Sequence, residues 1–217
     1  MKKNNNTYPY KLLEDKKELA KLGFWNKEVY GDLIACQSGK MAQQEFHKKY
    51  STKLTILCLD ISGFTETSMH VGELQSFYNI LNVQKVCVPI FQKNNARQIK
   101  AFADNLTVIF NTPHDALRTS FDIHRSIQKF NECFTKEKYT PKSCIGIGYG
   151  NVYAIGFDSA MGKEMNIASK LGEEIAKGFE TLITESTYNA LKDKNKYRFQ
   201  KHKNTTHGYK YYKVFKL

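Results

Sequence analysis

Acidic residues are scarce in this chain: Asp and Glu number 21 against 33 Lys and Arg, giving a formal net charge of +12 over 217 residues. That imbalance favours polyanions in general, among them nucleic acid, an anionic membrane and a nucleoside triphosphate, and charge alone does not choose between them. Long apolar runs are missing too. Nothing approaches the roughly 18 residues of a spanning helix, and Met-Lys-Lys-Asn-Asn-Asn at the start leads into no apolar segment, so a soluble protein without a membrane span is expected. The cysteines (Cys36, Cys58, Cys87, Cys133, Cys144) are odd in number and lack C-x-x-C spacing. This argues against a disulfide framework, and buried thiols in a reducing, cytoplasmic compartment fit instead.

Other signatures are also missing. The six histidines have no metal-ligand spacing, and no Ser/His/Asp or Cys/His set stands out. Gly146, Gly148 and Gly150 lie in Ile-Gly-Ile-Gly-Tyr-Gly, which lacks the Gly-Lys-Ser/Thr ending of a phosphate loop and the helix start of a dinucleotide fingerprint. Close strand packing at a dimer interface is the reading for these glycines. No repeat or low-complexity linker divides the chain, and its length suits one substantial core with a modest extension.

What is present is a pair of aspartates, each closing a β-like run: Leu54-Thr-Ile-Leu-Cys-Leu-Asp60 and Gln98-Ile-Lys-Ala-Phe-Ala-Asp104. Two such carboxylates can hold a metal. The first is followed by Ile61-Ser-Gly63-Phe64-Thr65, a glycine-containing turn that opens a helix and turns backbone amides toward an anion. Metal plus polyphosphate is the natural reading.

Periodicity gives the order strand (53–60), long helix (66–93), strand (97–104), strand (106–110), helix (113–133) and strand (143–149). Asp104-Asn105 is expected to form the tight turn between the second and third strands, and Pro113 sits where a helix start tolerates proline. This is a ferredoxin-like βαββαβ core, an α+β fold whose antiparallel-rich sheet carries helices packed on it. It sets the ends of the first strand and of the central hairpin side by side, so Asp60 and Asp104 face one pocket. Before the core, residues 1–49 read as a helical extension with helices over 10–22 and 28–48. After it come a short strand (152–155), a helix (163–176), a strand (181–184) and a closing strand (209–215).

Leu59-Asp-Ile-Ser-Gly-Phe-Thr65, Lys100-Ala-Phe-Ala-Asp104 and Asn166-Ile-Ala-Ser-Lys170 resemble, in order and spacing, the catalytic core of the class III nucleotidyl cyclases over about residues 50–217. The resemblance implies that Asp60 and Asp104, with the Ile61 carbonyl, bind two Mg2+ or Mn2+ ions per site. It implies that Gly63, Phe64 and Thr65 meet the substrate phosphates, and that Lys100 reads the base with Ser159, or with Asp158 if the gap in the shortened 150–162 stretch lies elsewhere. Asn166 is implied to orient the ribose and Lys170 to stabilise the transition state. Lys170 stands where the family has arginine, as in a stand-alone bacterial branch, and Ala103 stands where the family usually has glycine.

The resemblance further implies a homodimer with sites shared across its interface and a nucleoside triphosphate substrate. ATP comes first because Lys100 with Ser159 is compatible with adenine. UTP or CTP, the substrates of the antiphage pyrimidine cyclases, comes next, and a degenerate cyclase fold that only binds nucleotide is the rival class. Nine basic residues against Asp193 in the last 26 positions read as a solvated basic edge, and no stacking motif among them points to nucleic acid.

Overall fold

Strand β1 (Ser51–Ile61) buries Leu54 through Leu59 in an unbroken run, the pattern of a strand covered on both faces. In the computed structural model, which describes residues 12–21, 25–62, 69–70, 72–134, 140–155, 160–203 and 208–217, that strand lies at the middle of the sheet. After it come helix α4 (Glu73–Lys93), strands β2 (Gln98–Phe102) and β3 (Asn105–Phe110), helix α5 (Pro113–Phe134) and strand β4 (Ser143–Ala154). This is the expected βαββαβ succession. The chain continues through β5 (Ala160–Met161), α6 (Lys163–Lys170) with a π-helical turn over Leu171–Ile175, β6 (Glu180–Thr184), α7 (Glu185–Ala190), β7 (Tyr197–Lys203) and β8 (Lys210–Lys216).

The strands form one eight-stranded sheet in the order β2-β3-β1-β4-β6-β8-β7, with β5 paired to β4. Pairs β1–β3, β2–β3, β6–β8 and β7–β8 are antiparallel and β4–β6 is parallel. Strand β7 is an outer edge, and Arg198, Gln200, Lys201 and Lys203 on it are exposed. Among the described residues no helix is long and apolar enough to cross a membrane.

Alternation along the strands divides the core. Leu57, Leu59, Leu106, Val108 and Phe110 pack with Val83, Cys87 and Phe91 of α4 and with Ala116, Leu117, Ile123 and Ile127 of α5. Ile56, Cys58 and Ile109 point to the opposite face, where Ala168 and Met165 of α6 meet them. Each fully buried aliphatic or aromatic side chain contributes about 1.5–3 kcal/mol of transfer free energy. Cys58, Cys87 and Cys144 are buried thiols, and burial pushes those of Cys58 and Cys87 up to about 12 and that of Cys144 to about 11.

One polar chain crosses the apolar core. The Ser120 hydroxyl donates to the Leu117 carbonyl at 2.8 Å and accepts from Thr181 Oγ1 at 3.0 Å, so Thr181 takes its own hydrogen bond from His124 Nε2 at 2.9 Å. Nδ1 then accepts from the Ser143 hydroxyl at 2.6 Å. This run of donors fixes the Nε2–H tautomer and ties α5 to β4 and β6.

The helices before the core are α1 (Lys16–Ala20), α2 (Lys27–Gln37) and α3 (Gln43–Tyr50). The expected continuous helix over 28–48 is thus two helices, broken after Ser38 where Gly39 has a φ of 75°. By proximity the chain forms two compact units, residues 1–51 with 154–159, and residues 52–153 with 160–217. Within the first, Asp32 accepts from Lys49 Nζ at 2.7 Å and from the Tyr50 hydroxyl at 2.8 Å. In the second, the hairpin turn falls on Ala103-Asp104, one residue earlier than expected, and Asn105 belongs to β3. Strand β7 and helix α7 were not expected.

Burial lowers the His124 pKa to about 4, so the ring is neutral in the fold and protonates more readily in the unfolded chain. Its stabilising contribution is complete above an ordinary histidine value near 6.5 and is lost as pH falls toward 4. Thr181→Val leaves Nε2–H without an acceptor and is expected to lower stability by about 1–3 kcal/mol in urea unfolding at pH 7.5. The deficit should persist or grow as pH falls toward 4, because a protonated His124 keeps the Nε2–H and needs its acceptor more, and a deficit absent at pH 7.5 would contradict the network.

Candidate active site

The buried run of β1 carries Asp60 to the end of the strand, where its side chain is half-buried. The Ile61 N–H donates to its carboxylate, and the chain leaves the strand through a hydrogen bond from Ser62 N–H to the Lys142 carbonyl at 2.9 Å. Gly63, Phe64 and Thr65 lie outside the described residues.

Across β1 and β3, Leu59 pairs with Leu106, so one further step sets Asp60 opposite Asn105. Across the hairpin, Asn105 pairs with Phe102 and Thr107 with Lys100. Directly opposed residues share a face of a sheet, so Asp60, Asn105, Phe102, Cys58, Thr107 and Lys100 all lie on the face that carries α6. Asp104 follows Ala103 in the turn. Ala103 has a φ of 50°, the left-handed region that glycine enters freely and that costs a residue with a Cβ about 1 kcal/mol.

The two carboxylates interact. Burial first, and then the charge of Asp104, raise the Asp60 pKa to about 6, against the opposing Ile61 hydrogen bond and with a further push from Glu173. The Asp60 and Asp104 carboxylates and the Ile61 carbonyl make a donor set of hard oxygens alone, the type that takes Mg2+ or Mn2+. Among the described residues no group of three or more His, Cys, Asp or Glu gathers in a metal-binding arrangement, here or elsewhere, so the carboxylates at this point are a pair. Beside the pair, Asn105 Oδ1 is buried and has no hydrogen-bond partner among the described residues, a condition that costs about 1–3 kcal/mol.

Helix α6 presents the second cluster. It lies so close to β4 that a Cβ on Gly146 would run into the Ala168 carbonyl oxygen, and one on Gly148 would stand 2.5 Å from the Glu164 carbonyl oxygen. The glycine stripe therefore seats a helix of the same chain, a finding that gives Gly146 and Gly148 a role the dimer-interface reading does not include. A Cβ on Gly172, just beyond α6, would likewise meet the Cys58 carbonyl oxygen of β1 at 2.8 Å. Glu164 anchors the first turn, accepting from Thr184 Oγ1 at 2.7 Å and Ser186 Oγ at 3.0 Å.

With that side of α6 against the sheet, Asn166 and Lys170, one turn apart, face a cavity of about 680 Å3. Gly162, Lys163, Ile167, Gly208 and Tyr209 complete its lining. Sequence reading missed Lys163 and Tyr209. The first adjoins a visible helix start, while the second is brought in only by the β7–β8 hairpin. Tyr209 has its phenol pKa raised by burial and then by Glu174, and its ring lies 6.4 Å from that of Tyr211. Asp158 and Ser159 lie outside the described residues. Asp60, Asp104 and Lys100 do not line this cavity, so the chain brings the two aspartates together and brings Asn166 and Lys170 together, but joins the clusters in no single cavity among the described residues.

No protein-family model matches the sequence, and no curated protein matches it. Solved structures do match. The guanylyl cyclase domain of the RhoGC fusion protein from the aquatic fungus Blastocladiella emersonii, described as a non-canonical dimer, aligns with 76% of this chain and 98% of its own at 19% identity and a TM-score of 0.66. The adenylyl cyclase CyaB from P. aeruginosa aligns with 77% of this chain and 95% of its own at 21% identity and a TM-score of 0.64. The guanylate cyclase domain of RhGC from Catenaria anguillulae, solved with GTP, aligns with 76% and 96% at 19% identity and a TM-score of 0.64. The likeness at these identities is one of fold, and the fold is that of the class III nucleotidyl cyclase catalytic domain.

Because the Asp60 pKa is raised, the fold holds that proton more tightly than the unfolded chain does. The stability it confers is complete below an ordinary carboxylate value near 3.8 and is lost as pH rises through about 6. Asp104→Asn removes the like charge and should raise the stability of the metal-free protein at pH 7.5 by up to about 1 kcal/mol, with little change at pH 4. Thermal unfolding followed by circular dichroism at the two pH values checks this, and equal shifts at both would contradict the coupling.

Proposed function

We propose that the protein is a nucleotide cyclase that converts a nucleoside triphosphate, ATP first, to its 3',5'-cyclic monophosphate and pyrophosphate. The observation that carries this reading is the convergence of Asp60 and Asp104 at adjacent strand ends, on a fold whose solved examples include adenylyl and guanylyl cyclases. Residues 50–217 form the catalytic domain in this reading, and residues 1–49 are an extension to it.

The pair fits a divalent cation on its own chemistry. Two carboxylates in partial burial repel one another, burial first and the Asp104 charge second raise the Asp60 pKa, and a cation between them would offset both effects. Mg2+ or Mn2+, two per site, when bound lower the pKa of the attacking hydroxyl and neutralise phosphate charge. Asp60, Asp104 and the Ile61 carbonyl would hold them. Asn166 orients the ribose so that its 3'-oxygen lines up with the α-phosphorus. That oxygen passes its proton to solvent water and bonds to phosphorus as the bond from the α-phosphorus to the bridging oxygen of the β-phosphate breaks, and pyrophosphate leaves with that oxygen and its electron pair. Lys170 meets the charge that develops on the α-phosphate oxygens, as a point charge rather than the bidentate fork of arginine. Lys163, on the wall of the same cavity, adds a second cation.

Lys100 reads the base together with Ser159 or Asp158. The Asp60–Asp104 pair is absent from the lining of the Asn166–Lys170 cavity, and that separation supports a site assembled across a homodimer. One protomer gives the aspartates, and its partner gives the base reader, asparagine and lysine. An apolar stripe on α4, with Leu74, Phe77, Tyr78 and Leu81 all exposed, is surface of the kind a second copy covers. Lysine at position 170 also favours UTP or CTP as the second reading, since the pyrimidine branch carries it too.

Incubation of the purified protein with ATP, GTP, CTP and UTP plus Mn2+, with products resolved by mass, should give one cyclic nucleotide. Asp60→Ala should reduce its formation to below about 1% of wild type. No product from any of the four would replace this reading with a nucleotide-binding module. A second experiment tests the shared site. Asp60→Ala and Lys170→Ala, each inactive alone, should recover about a quarter of the wild-type rate when co-expressed in equal amounts, because half the dimers are mixed and each mixed dimer keeps one intact site of two. A mixture as inactive as its components would rule out sharing.

A further inference from the structure

The hairpin that carries Asp104 also carries a polar atom to which the described residues give no partner. Asn105 opens β3 immediately after Asp104, pairs with Phe102 across the hairpin, and stands opposite Asp60 one step beyond the Leu59–Leu106 pair. Its Oδ1 is buried and has no hydrogen-bond partner among the described residues. Folded proteins leave few buried acceptors in that state, and a missing ion is one of the standard reasons for an exception. Ionised carboxylates accept and do not donate, so neither Asp60 nor Asp104 can satisfy the amide oxygen. Asp60 and Asn105 therefore bring oxygen acceptors to one side of the sheet, with Asp104 next to Asn105 in the turn, and among the described residues the Asn105 oxygen has no donor.

We propose that Asn105 is a third side-chain ligand of the metal site, its amide oxygen completing the set formed by Asp60, Asp104 and the Ile61 carbonyl. The assignment rests on the metal-dependent reading above. It gives a reason for an amide at the start of a strand, where asparagine is disfavoured. A neutral oxygen beside two carboxylates adds a ligand without adding charge, and so strengthens the hold on a divalent cation without deepening the repulsion in the empty site. The competing structural role is the reverse orientation of the same group, in which Nδ2 donates to a carboxylate and only positions it. Substitution by aspartate separates the two, because it keeps an oxygen at that reach and removes the donor.

The experiment is a titration of Mn2+ alone into the purified full chain without nucleotide. Free Mn2+ is followed by electron paramagnetic resonance, and thermal unfolding is recorded with and without the metal. Asn105→Ala should weaken Mn2+ binding by roughly tenfold or more. It should leave the metal-free melting temperature unchanged or raised, because an unpaired buried acceptor has been removed, and it should shrink the rise that Mn2+ produces. Asn105→Asp should bind Mn2+ at least as tightly as wild type. Wild-type affinity in Asn105→Ala overturns the proposal, as does an Asn105→Asp variant weakened as much as Asn105→Ala. Asp60→Ala distinguishes the two levels of failure. If wild type binds no better than Asp60→Ala, the metal reading falls and the Asn105 assignment with it, whereas a normal Asp60 dependence with an indifferent Asn105 sinks the assignment alone.

Discussion

Helix α6 can lie where it does only because the strand beneath it is bare. Gly146 and Gly148 present backbone to the Ala168 and Glu164 carbonyls, and Gly172 presents backbone to β1 at Cys58. A methyl group at any of these points would meet main chain, which cannot swing aside as a side-chain end can. The contact fixes both the height of the helix above the sheet and its rotation, with Ala168 inward and Asn166 outward. The position of Lys170 follows from the same contact. Glu164, held by Thr184 and Ser186, stops the helix from sliding along its axis. Much of the site's geometry is thus set by an absence of side chains.

At the end of β1 the constraint is electrostatic. A chain with a net charge of +12 nevertheless gathers two carboxylates at the end of its central strand and partly buries them. The hairpin turn that presents Asp104 runs through Ala103 at a positive φ, a local backbone cost set beside the repulsion between the two acids. Neither feature helps the empty protein fold. Local expense concentrated at one point, in a core otherwise packed without it, is the pattern expected where a sequence serves function rather than folding.

The sequence displays the first strand plainly, because its apolar run ends on a charge, and the central hairpin through its alternation. Asp60 and Asp104 stand out in that way, whereas Asn166 and Lys170, on a helix, stand out through the resemblance. The turn was misplaced by one residue because Asp-Asn has the stronger turn propensity, while strand pairing drew Asn105 into the ladder. The same propensity hid Asn105 as a side chain of interest. Strand β7, Tyr-Arg-Phe-Gln-Lys-His-Lys, escaped notice because an edge strand with one wet face needs few apolar residues. With β7 unseen, the hairpin that brings Tyr209 to the cavity was unseen as well. The glycine stripe was noticed, but its partner is a helix close to it in sequence, and periodicity alone does not tell a strand that faces a neighbouring molecule from one that faces its own chain.

The outer position of β7 gives the basic C-terminal segment a meaning apart from catalysis. An open strand edge is a template for any other strand, and lysines are among the residues that blunt it. Arg198, Lys201 and Lys203 line this one, with the Arg198 guanidinium lying over the Phe215 ring at 4.4 Å. Protection of this kind has a range, the screening length of about 8 Å at physiological ionic strength, and so belongs partly to the solvent. The colloidal state of the protein is then tied to its counter-ions. A polyanion that settled along β7 would neutralise the guard and leave the edge beneath it open, turning a bound polyphosphate or nucleic acid into a seed for self-association.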